Sequence, residues 1–176
     1  MAAHPDLRKI SPNPAVPLLR RLGVAQDLRR FLIAYGDDVT PARAAAAVPL
    51  LDLSAWHIYV DGRGIAAAVK LALGTDWYSC TLKNAAVRPD LRGKGVGKFV
   101  YADALDHVAS RGCHIVMADI NHDNEPSIKA AARAGFKIVD RFCYKNGEKP
   151  VVVMHRVRSR PTERNECLAF MRLGGR

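Results

Sequence analysis

The sequence lacks long apolar runs and closely spaced cysteines. Its longest apolar stretches, such as residues 44–51, fall short of the roughly 20 residues that cross a bilayer. No basic stretch followed by an apolar core opens the chain, so no secretory signal is expected. The four cysteines are far apart in the sequence and form no CxxC pair: Cys80, Cys113, Cys143 and Cys167. This spacing argues against a zinc site and against a disulfide framework. We therefore expect a cytoplasmic protein with reduced thiols, no metal site and no membrane span.

Acidic residues are few beside basic ones. The chain of 176 residues has 17 acidic and 27 basic side chains, a formal charge of +10. A basic surface attracts nucleic acid, anionic lipid and polyanionic small molecules alike, so the charge alone selects no partner. With 49% hydrophobic and 25% charged residues, the composition is that of one globular domain.

The two ends of the chain differ in composition from its middle. Residues 1–16 are rich in proline and polar groups, and we interpret them as a lead-in with at most a short strand at 7–10. Residues 158–176 carry many arginines and few aromatics for stacking on bases. We interpret them as a basic extension that solubilises the chain or contacts a polyanion. This leaves residues 17–157 as the folded domain.

The spacing of apolar residues predicts two helices followed by strands and further helices. Apolar residues recur at intervals of three and four from Leu18 to Ala34, and Gly36 ends this helix. Thr40 followed by Pro41 is typical of a helix N-terminus, which predicts a short second helix. Later apolar runs predict strands over 56–60, 64–73, 77–87, 113–120, 136–144 and 150–157, and helices over 96–112 and 124–134.

The order of these elements predicts a mixed sheet. The first three of these strands follow one another, and Asp61-Gly62 suits a hairpin turn, so they should form an antiparallel meander. From residue 96 onward strands alternate with helices, and a helical crossover returns the chain in the same direction. At least one parallel pair is therefore expected. The predicted fold class is α/β (α+β), a mixed sheet flanked by helices with an antiparallel first half.

A glycine-rich loop lies between the meander and the next helix. The stretch VRPDLRGKGVGK, residues 87–98, has Gly93, Gly95 and Gly97 between basic side chains. It is not a P-loop, because Lys98 is followed by phenylalanine and the glycines are too closely spaced. It is not a dinucleotide fingerprint either, because GxGxG replaces GxGxxG and the strand before it does not open a doubly wound unit.

The physics common to those loops still applies to residues 92–98. Glycines let the backbone approach an anion, successive N–H groups converge on it, and the helix that starts near Gly97 adds its positive end. Arg92, Lys94 and Lys98 supply mobile positive charge. The sequence therefore predicts a loop that binds a pyrophosphate.

The loop and a later segment resemble the GNAT acyl-CoA N-acyltransferases. Arg92, Gly95 and Gly97 match that family's pattern of Gln or Arg, two residues, Gly, one residue, then Gly or Ala. Residues 124–136, NEPSIKAAARAGF, resemble its second landmark, an asparagine that opens a helix ending in Gly-Phe. The resemblance extends over residues 56–157. The two preceding helices also fit the family's order of elements, but they carry no motif of it.

The resemblance implies an N-acetyltransferase that moves the acetyl group of acetyl-CoA to a primary amine by direct attack on the thioester. It implies a strongly twisted sheet whose parallel fourth and fifth strands splay apart around the cofactor. The implied cofactor contacts are the end of the strand before the loop, the loop itself and the start of the later helix: Ala86, Val87, Arg92, Gly93, Lys94, Gly95, Val96, Gly97, Lys98, Asn124 and Ser127.

One position departs from the family pattern. Many members carry a tyrosine five residues before the Gly-Phe phenylalanine, placed to protonate the departing thiolate, and this chain has Ala131 there. Tyr144 is the first candidate for a replacement acid, with Tyr78 and Ser127 as alternatives. Unassisted departure is a further alternative, since the conjugate acid of the thiolate has a pKa of only about 8.5.

The attacking amine must lose a proton. A lysine-like amine with a pKa of about 10.4 is mostly protonated at neutral pH, so a base or a water relay is needed. Asp119, on the strand beside the expected gap, is predicted to be that base. His122 and Asp123 lie just beyond it, but His122 also suits a solvated loop and Asp123 a helix cap.

The acceptor is left open by the sequence. The resemblance implies an acceptor pocket built from segments 35–41 and 145–149, where Asp37-Asp38 suits either a cationic amine or an ordinary loop. A small molecule, a peptide and a modified nucleic acid are all compatible with it. The alternative function is a catalytically weak CoA-binding or nucleic-acid-associated module on the same fold. The side chains of His57 and Tyr59, on the predicted strand 56–60, contact either the acceptor or the hydrophobic core. We favour packing in the core for both.

Overall fold

A computed structural model of the chain describes residues 7–10, 18–37, 39–49, 53–74, 78–142 and 151–157. These residues contain four α-helices: α1 Leu18–Tyr35, α2 Pro41–Ala47, α3 Val96–Ser110 and α4 Glu125–Arg133. They also contain seven strands: β1 Arg8–Ile10, β2 Trp56–Asp61, β3 Gly64–Leu73, β4 Ser79–Val87, β5 Ile115–Asn121, β6 Lys137–Phe142 and β7 Val151–Val157. The extension 158–176 and most of the lead-in lie outside the described residues. No helix in the described part of the chain combines the length and the apolar character that crossing a bilayer requires.

The end of α1 and the start of α2 lie at the predicted signals. The side chain of Thr40 accepts a hydrogen bond of 3.2 Å from the N–H of Arg43 and so caps α2. The N–H of Gly36 donates to the carbonyl of Leu32 at 2.8 Å, which closes α1. A Cβ at Gly36 would lie 2.6 Å from that carbonyl oxygen and 2.6 Å from the Val39 side chain, so the turn requires glycine.

The sheet is mixed, as the order of elements predicts. Its strand order is β1-β2-β3-β4-β5-β7-β6. Strands β1 to β4 are antiparallel neighbours, and β4 pairs with β5 in parallel because α3 crosses over between them. Strand β5 then pairs antiparallel with β7, and β7 with the edge strand β6.

The two parallel strands separate part-way along their length. Strands β4 and β5 pair from Ser79 with Ile115 to Leu82 with Ala118. Beyond that point β4 stays on β3, and β5 stays on β7. A bulge in β4 accompanies the separation, because Asn84 has a φ of +51° and the register with β3 shifts there. A gap therefore opens between the carboxyl-terminal halves of the two strands.

Each face of the sheet carries its own hydrophobic core. Helices α3 and α4 cover one face, and α1 and α2 cover the other. Side chains on β2 alternate between them: Trp56 and Ile58 belong to the α1 side, and His57 and Tyr59 point to α3. The gap between β4 and β5 is thus flanked by helices on both faces.

Strand β5 starts at Ile115, two residues after the predicted start at Cys113. The end of α3 explains the difference. Gly112 has a φ of +82° and its N–H donates to the carbonyl of Ala109 at 3.1 Å, while the N–H of Cys113 donates to the carbonyl of Val108 at 3.0 Å. This pair of bonds is a common helix C-terminus. The backbone of Cys113 is therefore part of the helix cap.

A buried ionic cluster joins β1 and β2 to α3. Asp103 Oδ2 accepts hydrogen bonds from Lys9 Nζ at 2.6 Å and Tyr59 Oη at 2.7 Å, and His57 Nδ1 lies 3.5 Å from the same oxygen. The rings of His57 and His107 meet edge to face, with centroids 4.4 Å apart. Burial opposes ionisation of Asp103, but His57, Lys9 and Tyr59 outweigh it and lower the pKa. His57 and Tyr59 therefore hold α3 on the sheet rather than face an acceptor.

Acidification from pH 7 to pH 5 is expected to destabilise the fold through His107. Burial, with His57 and Lys9 nearby, lowers the pKa of His107 from 6.5 to about 4. Between these values the unfolded chain binds a proton that the folded chain does not, so stability falls as the pH falls. Discounted for the solvated part of the ring, the loss is about 1 kcal/mol, or ~2–4 °C in Tm.

Thermal unfolding of the wild type and of His107→Gln at both pH values measures this effect. The variant lacks the titrating ring, so its Tm should fall less on acidification than that of the wild type. Equal falls in both proteins would contradict the role given to His107.

Candidate active site

A pocket lies beside the separated end of β4 and the turn that follows β5. Its volume is about 700 Å³, within the range of small-molecule and cofactor sites. Its walls are the end of β4, the glycine loop, the first two turns of α3, the helix α4 and residues 35–37 at the end of α1. The glycine loop and the segment 124–136, which the sequence singles out separately, therefore meet at one site.

The glycine loop has the backbone shape that pyrophosphate binding requires. Gly93 and Gly95 have φ values of +76° and +84°, a conformation that strains other residues, and Gly95 is the N-cap of α3. A Cβ built on either glycine meets no atom within 4 Å, so neither position is closed off by neighbouring side chains. The first N–H groups of a helix have no intrahelical partner. Those of α3 open onto the pocket and fit an anion with several oxygens.

Arg92 is held in place rather than mobile. Its Nε donates to the carbonyl of Val87 at 3.0 Å, and its Nη2 donates to the carbonyl of Tyr35 at 3.2 Å. The guanidinium thus ties the loop to the ends of β4 and α1. It lines the pocket together with Lys98, so positive charge lies beside the free N–H groups of the helix.

Most of the predicted cofactor contacts line the pocket: Ala86, Val87, Arg92, Gly93, Gly95, Gly97, Lys98, Asn124 and Ser127. Lys94 is exposed and Val96 has its side chain in the α3 core, and neither side chain lines the pocket. Two further cations, Lys129 and Arg133 on α4, do line it, although no motif singles them out. Positive charge thus reaches the pocket from both helices.

The start of α4 forms the wall opposite the loop. Asn124 is the N-cap of this helix, and its side-chain oxygen accepts from the N–H of Ser127 at 3.2 Å. The cap proposed as one role for Asp123 is thus formed by its neighbour. Nδ2 of Asn124 donates to Oδ2 of Asp37 at 2.9 Å, and Nδ2 of Asn121 donates to the same oxygen at 2.8 Å. Asp37 therefore bridges the end of α1 to the turn between β5 and α4.

A pair of hydroxyls, one buried and one half-buried, lies between α3 and α4. Tyr101 on α3 is only 4% exposed, and its Oη lies 3.3 Å from Oγ of Ser127. Burial raises the pKa of Tyr101, and the bond to Ser127 lowers it in part. The ring packs edge to face on Phe136, with centroids 5.8 Å apart, and Ala131 is buried one turn after Ser127. No sequence motif singles out Tyr101, which looks like an ordinary core residue of α3.

Asp119 lies one residue beyond the last β4–β5 pair, where β5 runs only beside β7. Alternation along β5 places it on the same face as Asn121, opposite the core residues Ala118 and Ile120. The amide of Asn121 reaches Asp37 after α1, so Asp119 lies on the α1 side of the gap. It is partly buried and is not among the residues that line the pocket.

The other catalytic candidates lie in different places. Tyr144, like the segment 145–149, is outside the described residues. Tyr78 is 51% exposed and precedes β4, at the opposite end of the strand from the pocket. Asp123 lines the pocket, whereas the exposed His122 does not. Among the catalytic candidates that lie within the described residues, Asp123 and Ser127 line the pocket.

Residues 33–136 match the model of the Acetyltransferase (GNAT) family. Among curated proteins, the mycothiol acetyltransferase of Corynebacterium aurimucosum is 33% identical over 54 residues, which is 31% of this chain. The matched stretch covers 18% of that relative, so the two proteins are alike over one short region.

Solved acetyltransferase structures share the fold. The ribosomal-protein-S18-alanine N-acetyltransferase from Escherichia coli has a TM-score of 0.61 at 16% identity, over 89% of this chain and 97% of that one. The aminoglycoside acetyltransferase AAC(6')-Ib, solved with coenzyme A and kanamycin, has a TM-score of 0.62 at 14% identity, over 86% and 95%. At such identities the likeness establishes the fold alone.

Proposed function

The chain belongs to the acetyltransferase (GNAT) family, and we propose that it transfers an acetyl group from acetyl-CoA to a primary amine. Membership confirms the family that the sequence resembles, and with it acetyl-CoA as the family's acyl donor. One observation carries the proposal: a helix N-terminus with left-handed glycines opens into a pocket beside the end of β4, where this strand has separated from its parallel neighbour β5. The proposal places the reaction in the cytoplasm, in keeping with the buried free thiols of Cys80 and Cys113.

The residues of the pocket fit acetyl-CoA, which supplies an activated acetyl thioester when it is bound. The N–H groups at the start of α3, with Arg92 and Lys98, would hold the diphosphate. Among the described strands, β4 pairs with β3 alone beyond the splay, so every second residue turns its backbone groups to the open edge. The N–H of Arg88 donates to Ala66 on β3, so the backbone of Val87 faces that edge, where its carbonyl accepts from Arg92 and its N–H would meet a pantetheine amide. Lys129 and Arg133 add positive charge for a further phosphate.

Asp119 is proposed as the base that takes a proton from the amine, directly or through one water. It lies on the α1 side of the gap, where β5 has left β4. The amine nitrogen attacks the acetyl carbon and must lose a proton for the amide to form. Asp123, which lines the pocket, is the second candidate for this role.

A cationic amine is the proposed class of acceptor. Asp37 is exposed, lines the pocket and receives both of its described hydrogen bonds on Oδ2, from neutral amides. Its negative charge is therefore not cancelled by a described cation. The basic extension 158–176 is proposed to contact a polyanion, in keeping with its arginine content.

Thiol release from acetyl-CoA in the presence of amines tests the proposed reaction. The panel contains a diamine, an amino sugar and a peptide with a free amino terminus. At least one amine should accelerate release above the rate of hydrolysis. If CoA binds but no amine accelerates release, the chain is instead a CoA-binding module on the same fold.

Asp37→Asn is expected to raise the KM for a cationic acceptor roughly three- to fivefold, because one exposed charge contributes up to about 1 kcal/mol. The KM for acetyl-CoA should stay within about twofold of the wild type, since Asp37 is not part of the proposed diphosphate site. Steady-state kinetics with the best amine of the panel measure both constants.

Glu125→Gln is the matched control for that variant. Glu125 also lines the pocket, but it already pairs with Lys129 at 2.5 Å. Removal of its charge should leave the acceptor KM nearly unchanged. A rise of equal size in both variants would mean that the acceptor responds to net charge rather than to Asp37.

A further inference from the structure

We propose that Arg88 is a positioning residue for the diphosphate site. Through Asp61 and Asp90 it fixes the turn 88–92 to the hairpin of β2 and β3, and the fixed turn sets the direction of the glycine loop and of the first N–H groups of α3. This role rests on the proposed binding of acetyl-CoA. Arg88 stands at the end of β4 but is not among the residues that line the pocket.

The guanidinium of Arg88 makes five hydrogen bonds, as many as it has N–H groups. Nε and Nη2 donate to the two oxygens of Asp90 at 2.7 and 3.2 Å. Nη1 donates to Oδ1 of Asp61 at 3.2 Å, and Nη2 donates to Oδ2 of the same residue. Nη1 also donates to the carbonyl of Ile65 at 3.4 Å. Each carboxylate is thus bound through both oxygens, a geometry that a guanidinium can make and an ammonium group cannot.

These bonds join two parts of the chain that are distant in the sequence. Asp61 is the last residue of β2, and Ile65 lies on β3. Asp90 lies in the single 3₁₀ turn Pro89–Leu91, which leads into the glycine loop. The side chain of Arg88 therefore anchors this turn to the edge of the hairpin.

The charge of Arg88 is compensated within this network. Its side chain is 12% exposed and that of Asp61 is 16% exposed. Hydrogen bonds from Arg88 lower the pKa of both Asp61 and Asp90, so both carboxylates are ionised at neutral pH. A guanidinium that faces two carboxylates has little attraction left for a diphosphate. Its influence on that ligand must pass through the position of the turn.

The glycine loop depends on its anchors because it has few neighbours of its own. A Cβ built on Gly93 or Gly95 meets no atom within 4 Å, so packing does not fix these residues. Beyond the loop Val96 is 1% exposed and holds α3 in the core. Before the loop Arg92 ties the turn to the end of α1, and Arg88 ties it to the hairpin. Loss of one anchor should let the loop N–H groups move.

Asp61→Asn separates positioning from simple charge, because the two effects have opposite signs. Loss of a carboxylate near the loop would by itself favour an anion. Asparagine, however, cannot accept through both side-chain atoms, so the paired contact with Arg88 breaks. We expect the Kd for CoA to rise roughly tenfold as the loop N–H groups lose their alignment. Calorimetric titration measures it, and an unchanged or lower Kd would overturn the role of Arg88.

Arg88→Lys keeps the charge and removes the planar group that makes the paired bonds. It should also raise the Kd for CoA roughly tenfold. The double variant with Asp61→Asn should lose little more than either single variant, because both changes break the same contact. Losses that multiply to about 100-fold would mean that Arg88 acts on the ligand without Asp61, which contradicts the positioning role.

Steady-state kinetics with two acyl donors distinguish positioning from general damage to the site. In both single variants kcat/KM for acetyl-CoA should fall roughly tenfold, with kcat at saturation within about twofold of the wild type. S-acetylpantetheine has no diphosphate, so its kcat/KM should be unchanged. An equal fall with both donors would mean that the whole site is disturbed, and the positioning role would fail.

Arg29→Lys is the matched control. Arg29 is also half-buried and donates to carbonyl groups of Ala45 and Val48 at the end of α2, and it does not line the pocket. Its replacement should lower the Tm and leave the Kd for CoA unchanged. An equal loss of affinity in this variant would show that the effect follows stability rather than the turn 88–92.

The outcomes separate this role from the proposed function. If the wild type binds CoA and the variants of Arg88 and Asp61 bind it equally well, the role of Arg88 fails and the proposed function stands. If the wild type does not bind CoA, both fail together. Weaker binding of CoA in both variants, with unchanged use of S-acetylpantetheine, supports both.

Discussion

Gly95→Ala is expected to weaken CoA binding by about 100-fold. Gly95 is the N-cap of α3 with a φ of +84°, a conformation in which alanine is strained. Relief of that strain would turn the first N–H groups of the helix away from the diphosphate. A displacement of about 1 Å in such a site lowers the affinity for its ligand by about 100-fold. Calorimetric titration of the wild type and the variant with CoA measures the change.

Gly112→Ala is the control that separates affinity from stability. Gly112 has a φ of +82°, a built Cβ there meets no atom within 4 Å, and it follows the other end of α3. Both substitutions should therefore lower stability by similar amounts, about 1 kcal/mol. Only Gly95→Ala should lose affinity for CoA. Equal affinities in the two variants would contradict the proposed diphosphate site.

Asp119→Asn is expected to lower kcat by about 100-fold, the size of effect that removal of a general base has. The affinity for CoA should be unchanged, because Asp119 is not among the residues that line the cofactor pocket. Thiol-release kinetics with a saturating amine measure kcat, and calorimetric titration with CoA measures the affinity.

Asp140→Asn is the matched control for this variant. Asp140 lies on the edge strand β6, is exposed, and does not line the pocket. Its replacement should leave kcat and the affinity for CoA as they are in the wild type. If Asp119→Asn keeps full activity, the base is another group, and the same experiment on Asp123→Asn follows.

Local sequence signals predict much of this fold because they act over a few residues. Thr40 caps α2 through a hydrogen bond three residues away, and Gly36 closes α1 where a Cβ would collide with the chain. The helix α3 between two strands requires a parallel pair, which the sheet contains. The separation of the two parallel strands is predicted by the family resemblance alone, because no local pattern in the sequence encodes where two strands stop pairing.

Long-range contacts account for what the sequence did not predict. Asp37 accepts hydrogen bonds from Asn121 and Asn124, which lie more than eighty residues away in the sequence. Local sequence alone therefore allows both an acceptor-binding residue and an ordinary loop residue at this position. Tyr101 faces Ser127 because α3 and α4 pack together, and its position in α3 looks like that of any core residue. The bulge at Asn84 likewise depends on how β4 leaves β5 and pairs with β3.

Side chains on a strand that is buried on both faces have two possible sets of partners. His57 and Tyr59 lie on a strand whose two faces are both buried, so periodicity alone did not say which core they join. The buried Asp103 on α3 resolves it by accepting a hydrogen bond from Tyr59, close to His57. A polar residue on the buried face of a predicted helix is therefore a useful sign of such a cluster.

Calorimetric titration of the wild-type chain with CoA tests the diphosphate site most directly. The N–H groups at the start of α3 and the side chains of Arg92 and Lys98 should bind one CoA per chain, with a Kd between about 1 μM and 1 mM. The same titration with pantetheine, which has no diphosphate, should give much weaker binding. No heat of binding up to millimolar CoA, or equal binding of CoA and pantetheine, would contradict the site.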